Sequence, residues 1–324
     1  VATTSTAAPP AADEITFDID TVPDEDRERV EALIPGAGVA RSYVHRNVHG
    51  LYDFDLFDGA VEEQENVLLA GPTGSSKTTA FRAYAAERHV PFALVECHAA
   101  MDPGMTVGKS TTLGDGSFGW MDGDMTVVAR YGGVILFDEV NMAIPRVMAA
   151  FKALISVTRR LTIPENTESI IAGHGAHGHH FEKDTDDDGN EVDVLVCEGE
   201  AQPVLIAAAY NPRYQGTARL NEALLNQFAL PVDWGYERAV EAQLIDSTTL
   251  LDQADGMRSL ADIRTPVSTN MLMEFERHYL RWGADAAVGF FKAHFEDGTE
   301  RNAVNRALDA EIDKIVREID AATS

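Results

Sequence analysis

The sequence predicts an α/β fold, a parallel sheet built from strand-helix units followed by a small all-helical domain. Three observations carry that expectation. From about residue 36 to 235, short near-continuous apolar runs alternate with helical patterns, as parallel strands covered on both faces require. One of those runs enters a Gly-rich turn that opens directly into a helix, NVLLAGPTGSSKTTAFRAYAAE. After Gly235 the strand-like runs cease and long amphipathic stretches take over.

Taken in order, residues 1–35 are rich in Ala, Pro, Thr and acid without a sustained period, which predicts a flexible arm closed by Pro35-Gly36. The core over 36–235 has candidate strands at Asn66 to Ala70, Pro91 to Glu96, Val134 to Asp138, Val204 to Ala208 and Ala229 to Val232. The polar stretch GHGAHGHHFEKDTDDDGNEVD, within an insertion at about 171–200, is too long and charged for a tight connection and reads as a solvated hairpin or loop. Residues 236–324 form the helical domain, with helical patterns at Tyr236 to Ile245, Asn270 to Arg281 and Ala303 to Ile319. There is no internal repeat.

Composition narrows the function. The 324 residues can bury a core without staples, and 53 acidic against 26 basic side chains give a formal net charge of -27. Such a field repels polyphosphate backbones, so nucleic acid is a poor partner and a nucleic-acid motor is disfavoured. Of the basic residues 20 are Arg and 6 Lys, which suits a GC-rich genome and a high-salt cytoplasm equally. Cys97 and Cys197 show no metal or disulfide spacing and read as packed thiols of a reducing compartment. No apolar run is long enough for a membrane span, and the first residues lack the apolar segment of a signal peptide, so a soluble, cytoplasmic protein is expected.

The Gly-rich turn has the pattern of a phosphate-binding loop. In such a loop backbone N-H groups curl around phosphates, a lysine reaches the outer ones and an adjacent hydroxyl holds Mg2+. Nucleotide contacts are therefore expected from Gly71, Pro72, Thr73, Gly74, Ser75, Ser76, Lys77, Thr78 and Thr79. The pattern departs at Ser76, where a glycine is usual, and a serine fits only if its backbone angles are tolerable. Downstream, RYGGVILFDEVNMA ends an apolar strand in Asp138-Glu139. An acid at that tip can hold the metal, and the next acid can polarise an attacking water, making Asp138 and Thr78 metal-holding residues and Glu139 the general base. The next strand, VLIAAAYNP, ends in Asn211, placed to orient that water; as plain chain, Asn211-Pro212 would be a turn.

With these residues the sequence resembles a MoxR-type AAA+ ATPase, of the helix-2-insert group that includes the CbbQ and NorQ activases, the gas-vesicle protein GvpN and chelatase motor subunits. The resemblance runs from about Val44 to Phe228, through GPTGSSKT, MTVGKSTTLGDGSFGWMDGDMTVVARYGGVILFDEVN, TRRLTIPE and YNPRYQGTARLNEALLNQF. It implies a P-loop NTPase AAA+ core with a short insert hairpin at about 111–120 and a helical lid, ATP and Mg2+ as cofactors, a homo-oligomeric and usually hexameric ring, and a protein client that often carries a von Willebrand factor A domain. Two arginines that the family uses are replaced, the finger by Gln227 and the lid residue by Asn270. Arg213, Arg219, Arg159, Arg160 and Arg264 are available substitutes, with Arg219 as the candidate finger and Arg264 as the candidate lid contact. The missing arginines also favour a rival, a nucleotide-gated scaffold with little turnover.

Smaller features have plainer readings. Asp184, Asp186 and Asp188 alternate before Gly189 as in the first half of a calcium loop, but Leu195 stands where the closing Glu belongs, so the run reads as a solvated acidic tip. His174, His177, His179 and His180 could bind a transition metal, but lie in a Gly/His-rich loop without ordered support. Phe118 and Trp120 could grip a client or pack beneath their hairpin.

Overall fold

The computed structural model describes residues 17–102, 106–112, 118–143, 145–156, 158–163, 179–185, 189–197, 204–212 and 222–324. Two short strands, β1 (Asn47–Val48) and β2 (Leu51–Tyr52), precede the core sheet. That sheet comprises β3 (Val67–Ala70), β4 (Phe92–Glu96), β7 (Gly133–Asp138), β11 (Val204–Tyr210) and β12 (Leu230–Asp233). Its order is β12-β3-β11-β7-β4, every pairing parallel. All five expected strands are present, each within two residues of its expected ends.

The strands alternate between two cores. Leu68, Ala93, Val95, Ile135, Phe137, Ile206 and Ala208 face one side, and Val67, Leu69, Val134, Leu136, Leu205, Ala207 and Ala209 face the other. Covering both faces is what makes these strands apolar throughout instead of alternating with polar residues. The register sets Glu96 beside Asp138 and Tyr210 beside Ala70, so the C-terminal ends of β4, β7, β11 and β3 line one edge. Side chains just beyond those ends converge in the crevice where ligands of open parallel sheets bind.

The hairpin expected near 111–120 is formed by β5 (Gly108–Thr112) and β6 (Phe118–Asp122), antiparallel. In the insertion, β9 (His179–Thr185) and β10 (Glu191–Cys197) pair as a hairpin, extended by β8 (Arg160–Ile163) into a three-stranded sheet. It is not wholly solvated, because Leu195 is fully buried in the main core and Val192, Val194 and Val196 pack together. Leu195, where a calcium loop would need its closing carboxylate, is thus a core residue.

The arm expected over 1–35 differs in its second half. Pro23 precedes helix α1 (Asp24–Ala32), whose first turn is acidic, as the helix dipole favours. Val22 and Val30 are buried against Val127 and Tyr131 of α2 (Asp124–Tyr131). Asp26 accepts hydrogen bonds from Tyr131 and Arg130, and the Leu33 carbonyl accepts from the Phe92 N-H at the sheet edge. Buried valines and these hydrogen bonds together dock a segment whose average composition reads as unstructured.

Beyond Gly235 the chain is helical: α3 (Arg238–Leu244), α4 (Thr248–Ser259), α5 (Thr269–Trp282), α6 (Ala284–Ala293), α7 (Gly298–Asp309) and α8 (Ile312–Thr323). Ser247, Ser268 and Asp297 cap α4, α5 and α7 with their side-chain oxygens. The stretch Ala303 to Ile319 is two helices broken at Ala310-Glu311, where Glu311 leaves helical angles (φ -122, ψ 1). The break lets Leu308, Ile315 and Ile319 reach one core with Leu250, Leu272, Phe275 and Phe291. No helix among the described residues is long and apolar enough to cross a membrane.

Candidate nucleotide site

Strand β3 delivers the chain to Gly71, whose N-H donates to the Tyr210 carbonyl at 3.1 Å. A β-carbon on Gly71 would lie 1.9 Å from the Trp234 carbonyl oxygen, so only glycine fits there. Gly74 takes φ +71, and a β-carbon on it would lie 2.6 Å from Cβ of Ser268, the residue that caps α5. Gly71 lets backbone approach backbone at the crevice, and Gly74 makes room for the Ser268 side chain. Ser76 adopts the left-handed conformation, φ 67 and ψ 26. The serine therefore does what the usual glycine does, at the cost of a conformation that L-residues avoid.

The helix Lys77–Glu87 starts directly after this turn with no side-chain cap, unlike the lid helices α4, α5 and α7. Its first-turn N-H groups are left for an anion. Lys77 is buried, and its Nζ donates to the Gly71 and Pro72 carbonyls, 2.9 Å each. Burial lowers its pKa, opposed by the carboxylates of Glu139 and Asp138. Ser75 is buried with its hydroxyl on the Pro72 carbonyl at 2.8 Å, while Thr73 and Thr79 are exposed.

Thr78 Oγ1 donates to Asp138 Oδ2 at 2.5 Å. Residues sixty positions apart thus place two hard oxygens together beside the loop, a donor set suited to Mg2+. Glu139 follows in left-handed conformation, φ 51, and its buried Oε2 has no hydrogen-bond partner among the described residues. Burial pushes its carboxyl upward, countered first by Lys77, and by the backbone N-H of Asn211, while Asp138 adds to the rise. Asn211 is buried, and its Nδ2 donates to Thr73 Oγ1 at 3.0 Å. Asn141 Nδ2 donates to the Asn211 carbonyl at 3.1 Å, fixing that peptide. The crevice therefore combines a cation, a metal-competent oxygen pair, a partnerless carboxylate oxygen and an amide.

The candidate arginines divide. Arg159 is buried at the other end of β3, donating to Asn66 Oδ1 at 2.5 Å and the Gln64 carbonyl at 2.7 Å. The Gln227 carbonyl accepts from the same Asn66 at 2.7 Å. Both stand at the opposite end of the sheet from their own loop. Arg160 pairs with Glu182 at 3.0 Å across the insertion sheet. Arg264 is exposed in the lid, its backbone N-H on Glu300 Oε1 at 2.8 Å, and no hydrogen bond among the described residues joins it to the loop. Arg213 and Arg219 lie outside the described residues, as do His174, His177, Asp186 and Asp188. Asn270, in the position expected for the lid arginine, is exposed two residues after Ser268. Among the described residues no group of three or more His, Cys, Asp and Glu side chains could by itself hold a metal, so the Thr78–Asp138 pair is the metal-competent set there. Cys97 is a free, buried thiol beside β7, pushed up to about 12 by burial and then by Asp138 and Glu139.

Several participants carry no motif. Arg46 is buried and donates to the Ser75 and Gly235 carbonyls, 2.7 Å each, with its guanidinium 4.7 Å from the Trp234 ring centroid. The Tyr236 hydroxyl donates to the Thr73 carbonyl at 2.7 Å, and Arg258 stacks on the Tyr236 ring at 4.0 Å. The only sequence signal available was Trp234-Gly235-Tyr236 at the boundary between the strand pattern and the helical pattern.

The AAA domain of the dynein-related subfamily matches residues 66–228, which contain the loop, Asp138-Glu139 and Asn211. An uncharacterized protein of Staphylococcus haemolyticus is 27% identical over 202 residues, 61% of this chain and 63% of its own length. An uncharacterized protein of Bacillus subtilis is 26% identical over 224 residues, 68% of this chain and 63% of its own length. The chain thus spans under two thirds of the length of these relatives. A solved structure of a presumed ATPase from Cytophaga hutchinsonii is 15% identical, with a TM-score of 0.39, over 93% of this chain and 94% of that one.

Proposed function

Because the chain belongs to the AAA domain family, in its dynein-related subfamily, we propose that it is a MoxR-type AAA+ ATPase. In this reading it hydrolyses Mg-ATP as a homo-oligomeric ring and couples the cycle to remodelling, assembly or cofactor insertion in a protein client, a von Willebrand factor A domain protein being the first candidate. The observation that carries the ATPase reading is the 2.5 Å contact of Thr78 with Asp138, beside a buried Lys77 and a partnerless Glu139 oxygen. Thr78 and Asp138 would hold Mg2+, which when bound supplies charge to the outer phosphates. The uncapped first turn and Lys77 bind the phosphates, Lys77 exchanging its two carbonyl contacts for phosphate oxygens.

Water attacks the γ-phosphorus, its oxygen bonding there as the bond to the bridging oxygen of ADP breaks. Glu139 takes the water's proton, and the Asn211 amide orients the oxygen. Burial raises the Glu139 carboxyl, and Lys77 beside it opposes that rise, favouring the ionised form that a base requires. Glu139→Gln is expected to keep nucleotide binding while phosphate release falls by about 10²–10⁴-fold. Lys77→Ala is expected to lose both. Unchanged turnover in Glu139→Gln would sink the assignment.

A second reading is favoured by Gln227 and Asn270 in the two arginine positions. A nucleotide-gated scaffold would assemble with nucleotide yet release negligible phosphate even with a client present. Size-exclusion chromatography and phosphate release in the same buffers separate the two readings, since an arginine supplied between subunits is worth orders of magnitude in rate.

A further inference from the structure

Arg46 grips the phosphate loop and the lid junction at once. One guanidinium nitrogen donates to the Ser75 carbonyl inside the loop, the other to the Gly235 carbonyl, where the sheet core ends and the helical domain begins. Its plane lies over Trp234, whose carbonyl abuts Gly71 at the start of the same loop. The base of Arg46 is itself fixed, its N-H donating to Oδ2 of Asp53 at 3.1 Å. Asp53 is fully buried and also accepts from Tyr43 at 2.6 Å, the Phe54 N-H at 3.0 Å and His45 at 3.0 Å. A buried cation on two carbonyls and an aromatic face is a rigid fork that lysine cannot reproduce.

Lid and loop also meet independently. The Tyr236 hydroxyl holds the Thr73 carbonyl, and Gly74 lies against Ser268 at the start of α5. The lid behind those contacts is braced by Glu241, buried and bonded to Arg258 at 2.7 and 2.8 Å and to Thr269 at 2.7 Å. Movement of Gly235 relative to Ser75 must therefore break or drag the Arg46 fork. Granting the nucleotide site argued above, we infer that Arg46 is a positioning residue that makes the phosphate loop and the lid junction respond as one unit to nucleotide.

Hydrogen-exchange mass spectrometry with and without Mg-ADP tests this on the full chain. In the wild type, nucleotide slows exchange both in peptides over 71–78 and in peptides over 234–241. In Arg46→Met, protection over 71–78 persists at saturating Mg-ADP, whereas that over 234–241 drops by about tenfold, the worth of one charge-assisted hydrogen bond. Arg46→Lys, which keeps the charge but serves one carbonyl, gives an intermediate loss and covers the case in which the methionine variant fails to fold. A merely structural role would lower the melting temperature and leave nucleotide protection equal in both regions. That outcome overturns the proposal, as does wild-type protection of 234–241 in both variants. If the wild type shows no protection by Mg-ADP over 71–78, matching Lys77→Ala, the nucleotide reading falls and the coupling falls with it.

Discussion

Ser76 occupies a backbone conformation that costs an L-residue roughly 1–2 kcal/mol, while glycine there loses roughly 0.5–1 kcal/mol in unfolded-state entropy. The first term exceeds the second, so Ser76→Gly is expected to stabilise the protein by about 0.5–1 kcal/mol in urea unfolding. Lower stability would mean that the serine hydroxyl contributes something the backbone argument omits. Glu139 shows the same left-handed strain, but there the conformation presents a partnerless carboxylate oxygen in the crevice, as strained residues at functional sites do. At this scale most of the candidate site was legible in the sequence. Lys77, Thr78, Asp138 and Asn211 each belong to a pattern whose chemistry fixes the residue type. Arg46 belongs to none, because a side chain that grips two carbonyls is chosen by geometry that only the folded chain creates.

The lid helices are held by carboxylates placed at their ends. Glu318 of α8 accepts from the Thr249 N-H at 2.9 Å, the Thr249 hydroxyl at 2.7 Å and the Ser247 hydroxyl at 2.8 Å, closing the start of α4. Partial burial pushes its carboxyl up, but these hydrogen bonds and Lys314 outweigh that and hold it at about 2, below the ordinary 4.5. A depressed carboxyl contributes stability that is present above pH 4.5 and lost as pH falls toward 2. Glu276, bonded to the Asp246 and Ser247 N-H groups, is shifted upward by burial and has the opposite sign. Comparing Glu318→Gln with wild type isolates the first effect. The variant is expected to unfold at lower temperature at pH 7, with the gap narrowing between pH 4.5 and 2; a pH-independent gap would show that Glu318 acts through packing alone. The strands were legible because apolar runs bounded by Gly and acids admit few alternatives, whereas α4 and α6, which contain Gly256 and Gly289, lack a clean period. The break at Ala310-Glu311 is set by packing against the lid core, so its pattern reads as one helix until that core is known.

Assembly is where the charge of the whole chain acts. Subunits that each carry a net -27 repel one another in any ring, and the repulsion is long-ranged unless salt screens it. The screening length falls from about 30 Å at 0.01 M to about 8 Å at 0.15 M and about 3 Å at 1 M. Contacts between apolar and hydrogen-bonded surfaces are screened far less, so raising the salt removes more repulsion than attraction. Nucleotide-dependent self-association is therefore expected to strengthen from 0.05 to 1 M NaCl, read as the mass-averaged size by light scattering at fixed protein and Mg-ADP concentrations. Binding to a polyphosphate would weaken over the same range as counterion release loses its force. Self-association that falls with salt would mean that ion pairs across the interface, and not the net charge, govern assembly.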